Sequence, residues 1–188
     1  MSLPLRTLLA GVAVLAGSAS LAGAQAADAA RAVSFGISGG AALPQDDASD
    51  VVNTGYIVGA HLKLRPAVSP VGLRFDANYA SHEVKSAVAR DATVSVLSGF
   101  GNVVFDVPVT SSTIRPYLLG GIGVGRLKFS GGGEPDESYT KFGFQLGAGL
   151  EIPLSGITGF AEIGYQRYAA IEDVVTVAQV PIRFGVRF

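Results

Sequence analysis

Residues 178–188 read Ala178-Gln179-Val180-Pro181-Ile182-Arg183-Phe184-Gly185-Val186-Arg187-Phe188. Apolar and polar positions alternate along this stretch. Successive side chains of a β-strand point to opposite faces, so the stretch predicts a strand with one apolar and one polar face. The apolar face carries Val180, Ile182, Phe184, Val186 and Phe188. A soluble sheet could place this strand at an edge, whereas a membrane barrel could use it to close, and the rest of the chain decides between them.

The composition narrows the class of protein. The chain has 188 residues, the length of a single domain, and 48% of them are hydrophobic. Only 15% are charged, against about 25% in an average soluble domain. The net charge of −1 argues against a nucleic-acid partner, and the absence of cysteine excludes disulfides and thiolate zinc sites. After residue 26 no apolar run is long enough for a membrane-spanning helix. The high apolarity is therefore compatible with a soluble protein with a large core or with a membrane β-barrel.

The first 26 residues have the pattern of a secretory signal peptide. Arg6 precedes an apolar run over residues 8–15, and small residues follow up to Ala24-Gln25-Ala26. Ala24 and Ala26 form the A-x-A pattern that predicts cleavage after residue 26. A retained helical anchor is the alternative, but glycine and serine dilute the apolar run over residues 17–23. We therefore divide the chain into a signal peptide (1–26), a short N-terminal segment (27–31) and a folded domain (32–188).

Seven further alternating segments precede the closing strand. They lie at residues 32–43, 54–65, 71–81, 93–106, 114–129, 139–152 and 158–168. Each reaches the roughly 9–11 tilted residues that a strand needs to cross a bilayer. All connections have hairpin length, which favours an antiparallel meander, and in lipid such a sheet must close because an edge would leave backbone groups unpaired. The predicted fold is all-β: an eight-stranded antiparallel up-and-down transmembrane β-barrel.

The connections alternate in charge, and this predicts an orientation. Three of them (66–70, 107–113 and 153–157) are short and uncharged. The other four hold ten of the fifteen acids: Asp46, Asp47, Asp50, Glu83, Asp91, Glu134, Asp136, Glu137, Glu172 and Asp173. Outer-membrane barrels have long extracellular loops and short periplasmic turns. We therefore expect the acidic loops outside the cell and both chain ends in the periplasm.

The polar faces predict a charged interior. The side chains expected to point inward are His61, Lys63, Arg65, Arg74, Asp76, Arg126, Lys128, Lys141, Glu151, Glu162, Arg183 and Arg187. An eight-stranded barrel is only just wide enough for its own side chains, so buried charges must pair with each other or with trapped water. Glu151 and Glu162 are the expected partners of Arg183 and Arg187. A plugged interior is thus favoured over an open pore.

The segment 114–129 has the least regular alternation. We assign Tyr117, Leu119, Leu127 and Phe129 to the outer face, together with three glycines. This assignment sends Leu118, Ile122 and Val124 inward, and a local bulge or an apolar patch in the lumen would explain it. The register of residues 93–129 is left open.

Two glycine-rich segments and the C-terminus carry a family resemblance. Residues 115–125 read RPYLLGGIGVG, residues 142–151 read FGFQLGAGLE, and the chain ends Val186-Arg187-Phe188. Over residues 32–188 the chain resembles the small eight-stranded outer-membrane barrels of the OmpA/OmpX type. The resemblance implies that the last strand, with Val180, Ile182, Phe184, Val186 and Phe188, is a signal read by the barrel assembly machinery. The resemblance also implies that the protein is a monomer whose partners are outer-membrane lipid and lipopolysaccharide.

The sequence gives little sign of catalysis. Barrel enzymes that trim lipid A use a His/Ser/Glu set, and the only cluster of these types is Ser81-His82-Glu83. On a strand Ser81 and Glu83 share a face and His82 takes the other, so the three do not converge. We predict that His82 lies at the surface with its hydrogen bonds satisfied, and that His61 belongs to the interior polar network. No enzyme activity, cofactor or metal is predicted.

Three functions remain open at this stage. The favoured one is an outer-membrane structural or interaction protein with its binding surface in the acidic loops. A narrow pore or small-solute channel is the second. A soluble lipocalin-like carrier is the third, although it would need an apolar interior and a C-terminal helix, and no helical period follows residue 26.

Overall fold

The computed structural model describes residues 33–46, 48–66, 69–85, 92–110, 113–131, 136–171 and 175–188. The predicted signal peptide, its cleavage site and the segment 27–31 lie outside these residues. The elements are β1 (Val33–Gln45), α1 (Ala48–Val51), β2 (Gly55–Leu64), β3 (Val71–Glu83), β4 (Ala92–Asp106), β5 (Arg115–Gly131), β6 (Glu137–Pro153), β7 (Thr158–Ile171) and β8 (Val175–Arg187). No helix in the described part of the chain is long and apolar enough to cross a membrane.

Each strand pairs antiparallel with the next, and β8 pairs with β1 to close the barrel. At this closing seam Gly40 lies opposite Arg183, and the backbone of Phe188 exchanges hydrogen bonds with Phe35. The predicted eight-stranded meander is therefore confirmed. We call the end with the β2–β3, β4–β5 and β6–β7 connections the turn end, and the opposite end the loop end.

The outward face is apolar over most of its height. Ile122 is 76% exposed, Phe142 78% and Phe184 62%, and large apolar side chains of the other strands are exposed on the same face. An apolar surface that encircles a protein is unfavourable in water and fits the hydrocarbon core of a membrane. The predicted faces of β8 are thus confirmed, with Arg183 buried and Phe184 exposed.

The predicted faces of β5 are wrong. Tyr117, Leu119 and Leu127 are buried in the lumen, whereas Leu118 and Ile122 are exposed on the outside. Directly paired residues of neighbouring strands share a face. In the register of the sheet, Gly121 of β5 lies between two buried polar residues, Asn102 of β4 and Gln145 of β6. Because Gly121 shares the inward face of its two paired neighbours, the other odd-numbered residues of β5 also point inward. No bulge is needed to explain the alternation.

The same correction applies to two basic residues, whereas a third, Lys141, has the predicted phase. Arg126 and Lys128, predicted inward, are exposed on the outward face of β5. Lys141 has the inward phase of β6 but lies opposite Gly125 near the loop end, and it is only partly buried. It takes part in no ion pair among the described residues.

Several strands extend into segments predicted as loops. His82 and Glu83 belong to β3, and Glu137 begins β6. The acids Asp47, Asp91, Glu134, Glu172 and Asp173 lie outside the described residues. The loop end therefore has longer walls than alternation alone indicated, because polar side chains can continue a ladder beyond the apolar belt.

Candidate functional site in the barrel interior

Glu162 on β7 is the centre of a buried ionic cluster. Its carboxylate accepts hydrogen bonds from Arg74 Nη1 at 2.6 Å and Nη2 at 3.2 Å, and from the Tyr117 hydroxyl at 2.7 Å. Arg183 Nη2 also donates to it. Only 3% of Glu162 is exposed. A buried carboxylate with this many charged donors is stabilised in its ionised form.

Asp76 and two asparagines complete this central cluster. Arg74 Nε donates to Asp76 Oδ2 at 3.0 Å, and Asn102 Nδ2 donates to the same oxygen at 2.6 Å. Arg183 Nη1 donates to Asn78 Oδ1 at 2.8 Å. Two arginines thus meet two carboxylates, and the cluster has no net charge.

A second cluster lies nearer the turn end. Lys63 Nζ donates to Asp106 at 2.8 Å and to Glu151 at 3.1 Å. Glu151 also accepts two hydrogen bonds from Arg187, at 2.5 and 2.6 Å. Arg65, about one-third exposed at its side chain, lies 3.3 Å from Asp106. This cluster thus holds three cations, Lys63, Arg65 and Arg187, and two carboxylates, Asp106 and Glu151.

The two clusters bond opposite walls of the barrel. β3 and β7 are four strands apart in an eight-stranded ring, as are β2 and β6. The Arg74–Glu162 and Lys63–Glu151 pairs therefore cross the lumen at two levels. Contacts of this kind brace the wall in addition to its backbone ladder.

A chain of amides continues toward the loop end. Gln166 Nε2 donates to Gln145 at 2.8 Å, and Gln179 Nε2 donates to Gln166 at 2.7 Å. The ring of His82 lies 3.1 Å from Gln179 Oε1 and 3.1 Å from the carbonyl oxygen of Asn53. An apolar cluster that includes Phe100, Leu127 and Tyr168 packs beside this chain.

The structure brings most of the predicted interior residues together. Lys63, Arg65, Arg74, Asp76, Glu151, Glu162, Arg183 and Arg187 all belong to one of the two clusters. Arg183 pairs with Glu162 and Arg187 with Glu151. His61 is buried against the edge of Phe160, with ring centroids 5.3 Å apart, and takes no part in the ion pairs.

Four members of the clusters are missing from the predicted interior network, namely Asn78, Asn102, Asp106 and Tyr117. Alternation predicts inward positions for Asn78, Asn102 and Asp106, so the sequence carries the signal for these three. Tyr117 is missing because the predicted faces of β5 are inverted. The register of Gly121 with Asn102 would have corrected this, but register is not readable from one strand alone.

The Ser81-His82-Glu83 segment does not form a catalytic set. His82 is buried in the lumen, while Glu83 is exposed on the outward face. The surface position expected for His82 is therefore wrong. Its ring is held in the amide chain, and among the described residues no three metal-ligating side chains come together.

A closed antiparallel barrel that is apolar outside and charged inside defines a transmembrane β-barrel protein. The chain belongs to the family described as outer membrane protein beta-barrel domain, which matches residues 12–188. It is thus an outer-membrane barrel, and the soluble lipocalin-like carrier is excluded. No curated protein matches the sequence.

Solved structures with the same fold are distant in sequence. Neisserial surface protein A is 17% identical with a TM-score of 0.66, over 83% of this chain and 96% of that one. The attachment invasion locus protein Ail of Yersinia pestis is 21% identical with a TM-score of 0.54, over 83% and 97%. A major outer membrane protein from Thermus thermophilus is 14% identical with a TM-score of 0.59, over 84% and 98%. These likenesses support the fold alone.

Proposed function

We propose that this chain is a non-conducting anchor in the outer membrane, with its loop end outside the cell as an interaction surface. The observation that carries the proposal is the pair of ionic bridges across the lumen. Arg74–Glu162 and Lys63–Glu151 join opposite walls at two levels, and their charges are buried and paired. Ions crossing the barrel would have to break both bridges.

The loop end supports the second part of the proposal. The β1–β2 connection is joined to the end of β3 by backbone hydrogen bonds, from Asn53 to Glu83 and from Lys85 to Val51, both 2.8 Å. Lys85 Nζ also donates to the carbonyl oxygen of Ser49 at 2.7 Å. An ordered surface loses less entropy on binding than a mobile one. The orientation itself rests on the acidic loops opposite short uncharged turns.

We expect purified protein in a planar lipid bilayer to give no stepwise conductance, because the charged bridges leave no continuous water path. The measurement is single-channel current at low and high salt. Heat-modifiable gel mobility of the same sample serves as the control that the barrel is folded. Regular conductance steps from a folded sample would favour the narrow pore and overturn the proposal.

We also propose that β8 is read by the barrel assembly machinery. Phe188→Ser keeps the two backbone hydrogen bonds to Phe35 but removes the aromatic ring that ends the outward face. In cells we expect several-fold less folded protein in the outer membrane, with Phe188→Tyr close to the parent. Refolding from urea into micelles, where no machinery is present, should be nearly unaffected. An equal loss in both assays would indicate that Phe188 acts through stability alone.

A further inference from the structure

Within the described strands, basic residues interrupt the apolar outward face at one place. Four outward residues are charged among the described strand residues: Glu83, Arg126, Lys128 and Arg167. The three basic ones lie on β5 and β7, on either side of β6. The interruption is therefore a local patch and not a ring around the barrel.

The register brings two of these residues to one aromatic side chain. Arg126 pairs with Thr140, and Arg167 pairs with Phe144. Phe142 lies between these two positions on the outward face of β6, so it is a diagonal neighbour of both arginines. Diagonal neighbours are about 7–8 Å apart, within reach of long side chains. We call Arg126, Phe142 and Arg167 the rim patch; its phenylalanine is 78% exposed.

The two arginines of the rim patch have no acidic partner among the described residues. Arg126 Nη2 donates to the Ser138 hydroxyl at 3.2 Å, and its other donors have no side-chain partner among the described residues. Lys128 differs, because it pairs with Asp136 at 2.7 Å and holds the pKa of that carboxyl below its usual range. Among the described outward residues of these strands, the unpaired charge is therefore that of the two guanidinium groups.

The height of the rim patch places it at the border of the membrane. On β6 the outward positions from Phe142 to Ile152 are apolar or small. Ten residues at about 3.3 Å each, on a strand tilted by about 40°, span roughly 25 Å, which is the height of the apolar band of outer-membrane barrels. Arg126 and Arg167 then lie where hydrocarbon gives way to lipid phosphates.

We propose that the rim patch binds the phosphate groups of a phosphorylated glycolipid of the outer leaflet, the lipid A part of lipopolysaccharide. Guanidinium groups bind phosphate oxygens in a bidentate manner, and Phe142 packs against the acyl chains below. Two strand spacings across the sheet and four residues along β6 separate the Cα atoms of the two arginines by roughly 16 Å, which suits a lipid with two phosphates better than one with a single phosphate. The proposal rests on the orientation given above, with the loop end outside.

The test uses a tryptophan reporter, because the chain has no tryptophan of its own. Phe142→Trp protein in micelles of a zwitterionic detergent is titrated with diphosphoryl lipid A while emission is recorded. We expect saturable binding that weakens about tenfold when Arg126→Gln and Arg167→Gln are added, because charged phosphate contacts are lost. Arg115→Gln is the matched control: this arginine is exposed at the turn end, and its loss should leave the affinity unchanged.

Three results would overturn the proposal. The double arginine variant could bind lipid A as tightly as the reporter protein, with heat-modifiable mobility showing that both are folded. Dephosphorylated lipid A could bind equally well, or phosphatidylglycerol could bind as tightly as lipid A. Micelles have no leaflets and the assay measures no current, so a failed conductance test would not produce any of these results. Protease access to a tag in the β3–β4 connection of whole cells tests the orientation separately.

Discussion

Glu162→Gln should lower the free energy of unfolding by about 3–5 kcal/mol, the cost of removing one partner from a buried ion pair. The carboxylate accepts from Arg74, Arg183 and Tyr117 at once, in a lumen where these cations have little access to water. Glutamine keeps the volume and one acceptor oxygen but not the charge. Arg74 retains Asp76, whereas Arg183 retains only Asn78 and a distant Asp76 oxygen at 4.0 Å. The measurement is guanidinium unfolding in micelles, followed by tyrosine fluorescence.

Two variants separate charge balance from a general effect of substitution. Glu137→Gln changes the same residue type at an exposed site of the loop end and should leave stability near that of the parent. Arg183→Met added to Glu162→Gln removes the unpaired cation, so we expect the double variant to be more stable than Glu162→Gln alone. If Glu162→Gln folds and its free energy of unfolding is within about 1 kcal/mol of the parent's, the carboxylate of Glu162 is not the main stabilising group of the cluster.

Alternation predicted the faces of a strand wherever one face is charged and the other apolar. In β8, Arg183 and Arg187 lie opposite Phe184 and Val186, and a strand with these residues has only one favourable orientation in lipid. The pairing of these arginines with Glu162 and Glu151 could also be anticipated, because an eight-stranded lumen offers few other acids at inward positions.

β5 was inverted for a physical reason. Leu118, Leu119 and Tyr117 are all apolar enough for the outer face, and the glycines between residues 120 and 125 carry no side chain to mark a face. The strongest signal in that strand, Arg126 and Lys128, predicts an inward position only if charged side chains avoid the outward face at every height. Both residues lie near the loop end, where the outward face leaves the hydrocarbon. The rule for charges therefore depends on height along the strand.

His82 and the long strand ends were missed for a related reason. A buried histidine in an amide chain has no apolar periodicity around it, so residues 82–91 resembled a polar connection. The hydrogen bonds of its ring to Asn53 and Gln179 depend on where β2 begins and how β8 pairs with β1. These are long-range facts, and a local pattern does not contain them.

Gly40→Ala should destabilise the closing seam by about 3 kcal/mol, the upper part of the range for overpacking a tight site. A Cβ atom on Gly40 would overlap the carbonyl oxygen of Ile182. It would also lie 2.9 Å from the carbonyl carbon of Ile182 and 3.0 Å from the Cα atom of Arg183. All three atoms belong to the backbone of β8, which cannot rotate away as a side chain could. β1 and β8 must therefore separate locally, at the ladder that turns an open meander into a barrel. Guanidinium unfolding and heat-modifiable mobility in micelles measure the effect.

Gly39 provides the control. It is the same residue type as Gly40 and lies next to it on β1, but the atoms around it are different. A Cβ atom on Gly39 meets only the Ile57 carbonyl oxygen, at 3.9 Å, an ordinary contact. Neither residue has the positive φ that would strain alanine. Gly39→Ala should thus leave stability unchanged or raise it by up to about 1 kcal/mol, since alanine reduces the entropy of the unfolded chain. Equal losses for the two variants would mean that both glycines act through backbone flexibility, and the close approach of β8 to β1 would not be the cause.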